Sequence, residues 1–285
     1  GQNYITGKPF GVNIGLRGSQ SNLWMAGSSI EEIRDLMGYS MLSVLMENIK
    51  NKDISDQKES VYYVNGEIVS KDNPNDLYYV LPEAFSQYCT AINSKRELAD
   101  LFVKLLRTQR ERSDRIQDEH PPIFVFIHKL QAFVDLLKDN MRQYDVSEAS
   151  EPAPAANSLF GGLTMGLSGS GGDKMTFAAM FKEVFSQGAD TGIHIVFSVD
   201  TPSSVSPIER EMAACSNKIL LKGVRNDDIL RIMQTARYNN AVNIEGLGYC
   251  YENNDLCKFK PYRYFDEQDA GWFKELIEKY KKLRG

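Results

Sequence analysis

The chain has 285 residues and a net charge of −5 at pH 7. Its hydrophobic content of 42% and charged content of 25% are those of a globular protein and exclude a wholly disordered chain. No apolar run approaches the roughly 20 residues that a membrane helix needs, and no signal-peptide pattern opens the chain. We therefore expect a soluble, cytoplasmic domain that makes no membrane contact. The acidic balance also argues against strong DNA binding by this domain alone.

The four cysteines indicate neither a metal site nor a disulfide framework. Cys89, Cys215, Cys250 and Cys257 form no C-x-x-C pair and lack the spacing of zinc ligands. We therefore predict free thiols in a reducing compartment and no metal site. The chain begins at Gly1 without a methionine, which suggests a C-terminal piece of a longer polypeptide. We predict one domain over residues 1–285.

Strand and helix patterns alternate along the chain, which predicts an α/β fold. A mostly parallel central sheet with helices on both faces is the architecture that this alternation favours. Asn65-Gly66 is a hairpin-type turn signal within one of the strand patterns. The strand patterns cover residues 22–26, 61–69, 77–81, 123–127, 193–199 and 218–224, and a strand pair lies near 248–261.

Capping signals define several of the predicted helices. Ser94 with Glu97 forms a capping box for a helix that runs to about residue 116. Ser206-Pro207-Ile208-Glu209 offers an N-cap, a proline at the first helical position and a capping glutamate. Further helices are expected at about 30–49 and 175–187, from residue 227 and from about residue 269. Residues 146–174, rich in Ala, Pro, Gly and Ser, are predicted to form a long flexible insertion.

The strand at 22–26, Gly27 and the helix that follows have the layout of a phosphate-binding P-loop. Such a loop needs G-x-x-x-x-G-K-[ST], in which backbone N–H groups and the lysine hold phosphate and the hydroxyl holds Mg²⁺. Here Glu32, Ile33 and Arg34 stand where the second glycine, the lysine and the serine or threonine belong. The residues that the chemistry requires are therefore absent from these positions.

The start of the predicted helix also disfavours phosphate. Ser28 and Glu31 can form a capping box that satisfies the first N–H groups internally. Glu31 and Glu32 place two negative charges where the helix dipole would attract an anion. Arg34 could supply a replacement positive charge, or it could pair with Glu31 or Asp35 on the helix surface.

The second half of a nucleotidase site is changed as well. The apolar strand at 123–127 has the character of the strand that normally ends in Asp-Glu, the pair that orders Mg²⁺ and activates water. Here it ends in His128-Lys129. A charged lysine cannot accept a proton from water at neutral pH, and imidazole is a poor ligand for Mg²⁺. We therefore expect no ATP hydrolysis by this machinery.

These segments, in this order, resemble the motor domain of the FtsK/SpoIIIE family of the HerA–FtsK superfamily. Residues 22–29 occupy the place of the Walker A strand and loop, and residues 123–137 that of the Walker B strand and the following helix. Residues 188–203 resemble a further family strand, which begins Gly-Ile-His and leads into Ala-Thr-Gln-Arg-Pro-Ser. Residues 217–224 and 246–249 fit as well. The resemblance covers nearly the whole chain and implies a RecA-like P-loop NTPase fold.

The resemblance fails at the positions that carry catalysis in the family. Pro202 and Ser203 match the family pattern, whereas Val199, Asp200 and Thr201 replace the Thr-Gln-Arg that senses nucleotide. The family includes ring-forming DNA translocases and the tandem modules of the type VII secretion proteins EssC and EccC, in which C-terminal modules are often degenerate. The resemblance therefore implies a non-catalytic module of a larger DNA or protein translocase that serves in partner recognition or regulation.

Two alternatives stay open: an active DNA-translocating ATPase that uses Arg34 and His128, and a DNA-binding module without catalysis. For the latter, Lys218, Lys222, Arg225 and Arg231 could line one surface. Expected partners are other domains of the same polypeptide or ring, with secreted protein or DNA handled by the whole machine. ATP and Mg²⁺ are the family's cofactors, and we expect none here. The vestigial nucleotide cleft is predicted at Gly27, Ser28, Ser29, Arg34, His128 and Asp200.

Overall fold

The computed structural model describes residues 2–9, 11, 12, 14, 21–50, 59–67, 89–115, 120–147, 173–233, 246–252, 255–261, 275, 278, 279 and 282. The strands are β1 (Gln2–Asn3), β2 (Leu23–Ala26), β3 (Val61–Asn65), β4 (Thr90–Ile92), β5 (Ile123–His128), β6 (Tyr144–Asp145), β7 (Lys174–Met175), β8 (Ile193–Val199), β9 (Asn217–Leu220), β10 (Gly248–Glu252) and β11 (Asp255–Lys260). The helices are α1 (Ile30–Lys50), α2 (Lys95–Ser113), α3 (Val134–Lys138), α4 (Phe177–Gln187), α5 (Glu209–Ala214) and α6 (Asn226–Met233). Short 3-10 segments span Leu130–Phe133, Gly188–Thr191 and Pro202–Ile208.

The large sheet has the strand order β1-β11-β10-β9-β2-β8-β5-β3-β4. The strands from β9 to β4 run parallel to one another, and β10, β11 and β1 extend the sheet by antiparallel pairing. The predicted α/β class with a mostly parallel sheet is therefore confirmed. The carboxyl ends of β2, β8, β5 and β3 meet at one edge, where open α/β sheets place their ligand sites.

Two hydrophobic cores cover the two faces of this sheet. On one face, α1 packs Ile33, Met37 and Leu45 against strand residues such as Met25 and Phe126. The other face carries α2, α4 and the short helices. There the rings of Phe102 and Phe181 stack at 5.2 Å, and Phe181 meets Phe197 edge-on at 6.0 Å. Helices on both faces are thus confirmed, and β2 lies buried between the two cores.

Buried strand β2 is also tied to a helix through a polar contact. Trp24 is fully buried, and its Nε1–H donates to the carbonyl of Met212 in α5 at 2.9 Å. At the amino end of the strand, the side-chain amide of Asn22 donates to the carbonyl of Phe185 and its oxygen accepts from Ile195 N–H. Every one of these polar atoms is paired, as burial requires.

Most predicted strands are confirmed, with one end in error. The strand at 193–199 and the pair near 248–261 match β8, β10 and β11. In the pattern at 61–69, β3 ends at Asn65, where the Asn65-Gly66 turn signal breaks the pattern, and residues 68 and 69 lie outside the described residues. The strand predicted at 218–224 ends at Leu220 because the chain turns there through Gly223. The strand predicted at 77–81 lies outside the described residues.

The capping box before α2 is confirmed, whereas the cap predicted at Ser206 is wrong. Ser94 Oγ accepts the N–H of Glu97, and the Glu97 carboxylate accepts the N–H of Ser94. The chain already turns from Pro202, so Ser206 sits inside a 3-10 segment and α5 begins only at Glu209 without a side-chain cap. Glu209 N–H then donates to the Ser206 carbonyl.

The predicted insertion falls mostly outside the described residues, which stop at Ser147 and resume at Asp173. At its base, β6 and β7 pair antiparallel, with Tyr144 opposite Met175. The predicted C-terminal helix is described at only four positions (Glu275, Glu278, Lys279 and Lys282), and all four are helical. Over the described part of the chain, no helix has both the length and the apolar character to cross a bilayer.

Replacing Ser94 with alanine should lower the free energy of unfolding by about 1 kcal/mol, because one arm of the capping box is lost. Ser113→Ala is a matched control on the same helix, since that hydroxyl donates only to the Gln109 carbonyl one turn back. Denaturant unfolding of the two variants measures the difference. Equal destabilisation by both would contradict a capping role for Ser94.

Candidate functional site at the carboxyl edge of the sheet

The turn between β2 and α1 is short and closed by backbone hydrogen bonds. Only Gly27, Ser28 and Ser29 separate Ala26 from Ile30. Gly27 N–H donates to the Val199 carbonyl at 3.3 Å, and Ser28 N–H donates to the Lys222 carbonyl at 2.9 Å. Both N–H groups that a phosphate loop would turn toward its ligand therefore point into the protein.

The N-terminus of α1 is capped by Ser29. Its Oγ accepts the N–H of Glu32 at 3.3 Å, and its carbonyl accepts the N–H of Ile33 at 3.1 Å. The predicted capping box of Ser28 and Glu31 is therefore wrong by one residue. Ser28 is unavailable as a cap because its hydroxyl donates to the Lys222 carbonyl at 3.2 Å.

Glu32 faces the protein interior at the first turn of the helix. Its side chain is buried, and Oε1 accepts the N–H of Gly246 at 3.2 Å. A carboxylate in the first helical turn interacts favourably with the helix dipole and occupies the position that an anion would take. The predicted negative charge at this terminus is confirmed in position, with Glu32 turned inward and Glu31 exposed.

The segment that follows β9 packs directly on the β2–α1 turn. A Cβ on Gly27 would lie 2.7 Å from Leu221 Cβ, so a larger residue does not fit there. Gly223 has φ +95°, and a Cβ on it would overlap the Ser28 side chain. Backbone approach this close leaves no room for a phosphate group at the turn. These contacts do not fit the requirements of a phosphate-binding loop for Mg·ATP.

Arg34 lies in α1 beyond the capped turn, on a helix that rises about 1.5 Å per residue. Its Nε is 3.5 Å from Oδ1 of Asp35, a buried carboxylate. Of the two expected roles, the structure shows the pairing with Asp35. Arg34 is therefore compensated by a neighbouring carboxylate in α1.

A buried polar cluster stands at the ends of β5, β8 and β3. His128 is fully buried at the end of β5, with Nδ1 3.1 Å from Ser198 Oγ and Nε2 3.3 Å from Glu67 Oε2. Lys129 donates its N–H to Ser198 Oγ at 2.9 Å and its Nζ to Glu67 Oε1 at 2.8 Å. The positions expected for the acidic pair thus hold an imidazole and an ammonium group, both engaged by Glu67.

The electrostatics of this cluster fix its protonation. The hydrogen bond from His128, assisted by Lys129, holds the pKa of Glu67 at about 2. Burial lowers the pKa of His128, so the ring is neutral at pH 7. A neutral ring with its proton on Nε2 donates to Glu67 and accepts the Ser198 hydroxyl at Nδ1, which satisfies both nitrogens.

The backbone at the end of β5 is shaped to hold this cluster. Lys129 has φ +54°, an unusual conformation for a residue with a side chain. Gly66 N–H donates to the His128 carbonyl at 2.9 Å, and a Cβ on Gly66 would lie 2.5 Å from the Lys129 carbonyl oxygen. Gly66 therefore allows the close approach of the chain after β3 to the end of β5. This role differs from the hairpin-type turn that the sequence indicates at Asn65-Gly66.

A carboxylate, an imidazole and a hydroxyl in a row also form the constellation of serine hydrolases. Ser198 is fully buried, and its Oγ already accepts the Lys129 N–H. A nucleophile must reach its substrate, and no substrate reaches Ser198 in this fold. The chain of hydrogen bonds is therefore a structural link between three strands.

Asp200 is exposed just after β8, close enough for its charge to act on His128. The structure thus brings together Gly27, Ser28, Ser29, His128 and the start of the Asp200 loop at one edge of the sheet. Gly27 bonds to Val199, the neighbour of Asp200, and His128 bonds to Ser198. Residues predicted for the cleft therefore lie at one edge of the sheet, where Gly27, Ser28 and His128 form hydrogen bonds within the protein.

Three of the four basic residues considered for DNA contact are buried or paired. Lys218 is buried in β9. Arg225 and Arg231 both bind the buried carboxylate of Asp228, at 3.2 and 2.7 Å. Arg225 also donates to Ser203 Oγ at 2.7 Å, which ties the family-like Pro-Ser segment to α6. These side chains do not form an open basic face.

Sequence reasoning missed the residues that close the site: Glu67, Ser198, Lys222, Gly223 and Gly246. Glu67 and Ser198 lie at the carboxyl ends of parallel strands, and that position was the available signal. Nothing local in the sequence indicated that the segment after β9 would cover the turn, because that contact joins residues almost 200 positions apart.

Replacing Gly223 with alanine should destabilise the fold by more than the cost of its backbone conformation, since the new Cβ would overlap Ser28. Gly246→Ala is the matched control: its φ is +73°, and a Cβ there meets no atom within 4 Å. We expect about 1–2 kcal/mol for the control, from the left-handed backbone alone. Equal losses of unfolding free energy in the two variants would contradict this prediction, because they would show that the segment after β9 can move away from the β2–α1 turn.

Stability should fall as the pH drops below about 6.5. Burial lowers the pKa of both His128 and His194, so on acidification the unfolded state binds protons that the folded state does not bind. The stability that the two neutral histidines contribute is therefore fully present above the histidine pKa of the unfolded chain, about 6.5, and is lost as the pH falls below it. A further loss follows between about pH 4.5 and 2, where the Glu67 carboxylate protonates.

Unfolding measured from pH 8 to 5 tests the first part of this prediction. His128→Gln should reduce the slope, which is at most about 1.4 kcal/mol per pH unit for each proton. His120→Gln is the control, because that ring bonds only to the Arg115 carbonyl at the surface. An unchanged slope in His128→Gln would contradict a neutral buried ring.

Comparison with known proteins shows the fold. No protein-family model matches the sequence, and no curated relative is detected. The cytoplasmic domain of the type VII secretion ATPase EccC from Thermomonospora curvata superposes with a TM-score of 0.59 at 12% identity, over 98% of this chain and 30% of that one. Its ATPases 2 and 3 in complex with a signal sequence peptide give 0.56 at 9% identity, over 93% and 40%.

The pCW3 conjugation coupling protein TcpA, in its monomer form with ATPγS, gives a TM-score of 0.53 at 13% identity over 93% of this chain and 65% of that one. The chain thus spans between about a third and two thirds of the length of these proteins. The resemblance first indicated by the sequence segments is therefore confirmed at the level of fold: the chain has the RecA-like α/β fold of the FtsK-type ATPase modules found in EccC, EssC and the conjugation coupling proteins.

Proposed function

We propose that this chain is a non-catalytic, FtsK-type ATPase-like module of a larger translocase, and that it acts by binding partners. One observation carries the proposal: the β2–α1 turn donates its N–H groups to the protein and lies under the Leu221–Gly223 segment. The turn that holds phosphate in an active module is here a packing surface. The module keeps the fold and has lost the ligand contacts.

The second half of the site supports the same proposal. A nucleotidase needs a carboxylate to order Mg²⁺ and another to activate water. The corresponding strand end carries His128 and Lys129, and both are bound to Glu67. Glu67 is consequently occupied by two donors, and its charge is balanced by Lys129 within the cluster. We propose that the domain uses neither ATP nor Mg²⁺.

The proteins with a similar fold support a proposal about the partners. The matched EccC and TcpA chains are longer than this one. EccC ATPases 2 and 3 have been solved in complex with a signal sequence peptide. We propose that this module contacts other domains of its own polypeptide or ring, and that secreted protein is the substrate of the whole machine. Since three of the four candidate basic residues are buried or paired, DNA is the less favoured substrate.

Thermal unfolding with and without millimolar Mg·ATP tests the absence of nucleotide binding. Saturation at 100 times Kd would stabilise the fold by about 2.7 kcal/mol and raise Tm by about 2 °C or more. We expect no shift. Arg34→Ala is measured in parallel, because an atypical nucleotide site would use the Arg34 side chain. We expect the Tm of this variant to be unaffected by Mg·ATP, as in the parent protein.

A clear rise in Tm that Arg34→Ala abolishes would overturn the proposal and support an active ATPase with an atypical site. A rise that Arg34→Ala preserves would also overturn it, and would place the nucleotide away from α1. ATP hydrolysis assays on the same samples then distinguish binding from turnover.

A further inference from the structure

A large cavity lies away from the β2–α1 turn, beside the amino end of β9. Its volume is about 1,090 Å³, slightly above the roughly 300–1,000 Å³ that is typical of small-molecule sites. It opens between α5, α6 and the strands β9 and β10, on the face of the sheet opposite α1. The nucleotide-type cleft faces the carboxyl edge of the strands, so this cavity is a separate feature of the fold.

Lys218 is a buried cation that lines this cavity. The residue is only 3% exposed, and its Nζ lies 4.7 Å from the centroid of the Tyr251 ring. Within the described part of the chain, no carboxylate lies within 4 Å of this ammonium group. Burial lowers the pKa of Lys218, as expected for a charge taken out of water without a counter-ion. An ammonium group in this state favours an anion brought by a ligand.

The other charged residues around the cavity show which positive charge is available. Arg231 is already bound by Glu209 at 2.5 Å and by Asp228 at 2.7 Å. Arg210 is exposed and lines the same cavity, so it adds positive potential at the mouth. Lys182 also lines the cavity and is half-buried, so Lys218 is the deeply buried cation among the lining residues.

Glu211 contributes the second unpaired group. Its Oε2 is buried, lines the same cavity and has no hydrogen-bond donor among the described residues. No ion pair forms between Glu211 and Lys218, which leaves two opposite charges facing one space. A ligand that carries both an anionic oxygen and a hydrogen-bond donor would satisfy both groups at once.

We propose that the part of this cavity between Lys218 and Glu211 binds a small amino-carboxylate anion of the size of an acidic amino acid. The ligand's carboxylate pairs with Lys218 Nζ, and its ammonium group donates to Glu211 Oε2. The Tyr251 ring and the side chains of Ile232 and Met233 provide the apolar walls. The site goes beyond the proposed partner-binding function, because it would let the module sense a small molecule without a nucleotide.

Isothermal titration of the protein with L-glutamate, glutarate and inorganic phosphate tests the site. Glutarate lacks the ammonium group, and phosphate has the charge without the carbon skeleton. We expect glutamate to bind at least tenfold more tightly than the other two. Equal affinity for all three would overturn the proposal, since Glu211 would then play no part, and so would no binding of any of them at 10 mM.

The variant Lys218→Met distinguishes a lysine that binds a ligand from a lysine that only stabilises the fold. Removing a buried charge that has no counter-ion is expected to leave Tm unchanged or raised, while glutamate binding falls at least tenfold. Lys258→Met is the matched control: this lysine also stands over a tyrosine ring, with Nζ 5.7 Å from the Tyr249 centroid, but it is exposed and does not line the cavity. It should bind glutamate as the parent protein does.

Glu211→Gln is the second variant, and it keeps the proposal testable should Lys218→Met fail to fold. The amide retains the shape and removes the charge that pairs with the ammonium group. Its affinity for glutamate should drop to that of the parent protein for glutarate. Unchanged preference for glutamate in this variant, or undiminished binding in Lys218→Met, would contradict the proposed site.

Discussion

The packing of the Leu221–Gly223 segment against the β2–α1 turn is the constraint on which the rest of the carboxyl edge depends. Lys222 accepts two hydrogen bonds from Ser28, and Gly27 and Gly223 allow the two backbones to approach. Because the Ser28 hydroxyl is used there, the helix cap moves to Ser29 and Glu32 turns inward to Gly246. One contact between distant parts of the chain thus decides the local conformation of the helix start.

The buried cluster around His128 plays the corresponding part on the other side of β8. It joins the ends of β3, β5 and β8 through side-chain hydrogen bonds. Within this cluster, Glu67 accepts hydrogen bonds from His128 and Lys129, and Ser198 contacts both of these residues. The two halves of the edge are therefore linked to each other through β8, whose carbonyl at Val199 accepts from Gly27 and whose Ser198 contacts His128.

Much of the fold could be predicted from the sequence, because local signals carried it. Buried apolar runs identified β5 and β8, and the Ser94–Glu97 pair identified the start of α2. The place of the candidate site could be predicted from the strand ends at Gly27 and His128. Its geometry could not be predicted, since it depends on contacts such as Ser28 with Lys222 and Glu32 with Gly246, which no local pattern encodes. The sequence marked Lys218 as a candidate for a basic surface, and its burial beside the cavity could not be predicted for the same reason.

The shortness of the β2–α1 turn has a consequence for how such a module could change. A phosphate loop places four residues between its two glycines, whereas α1 here begins three residues after Gly27. Reintroducing lysine and threonine into α1 by substitution would place them on a formed helix, behind a cap that is already satisfied. A phosphate loop at this place would need an insertion that lengthens the turn and, at the same time, the withdrawal of the segment after β9. Point substitution of the β2–α1 turn alone would therefore not create one.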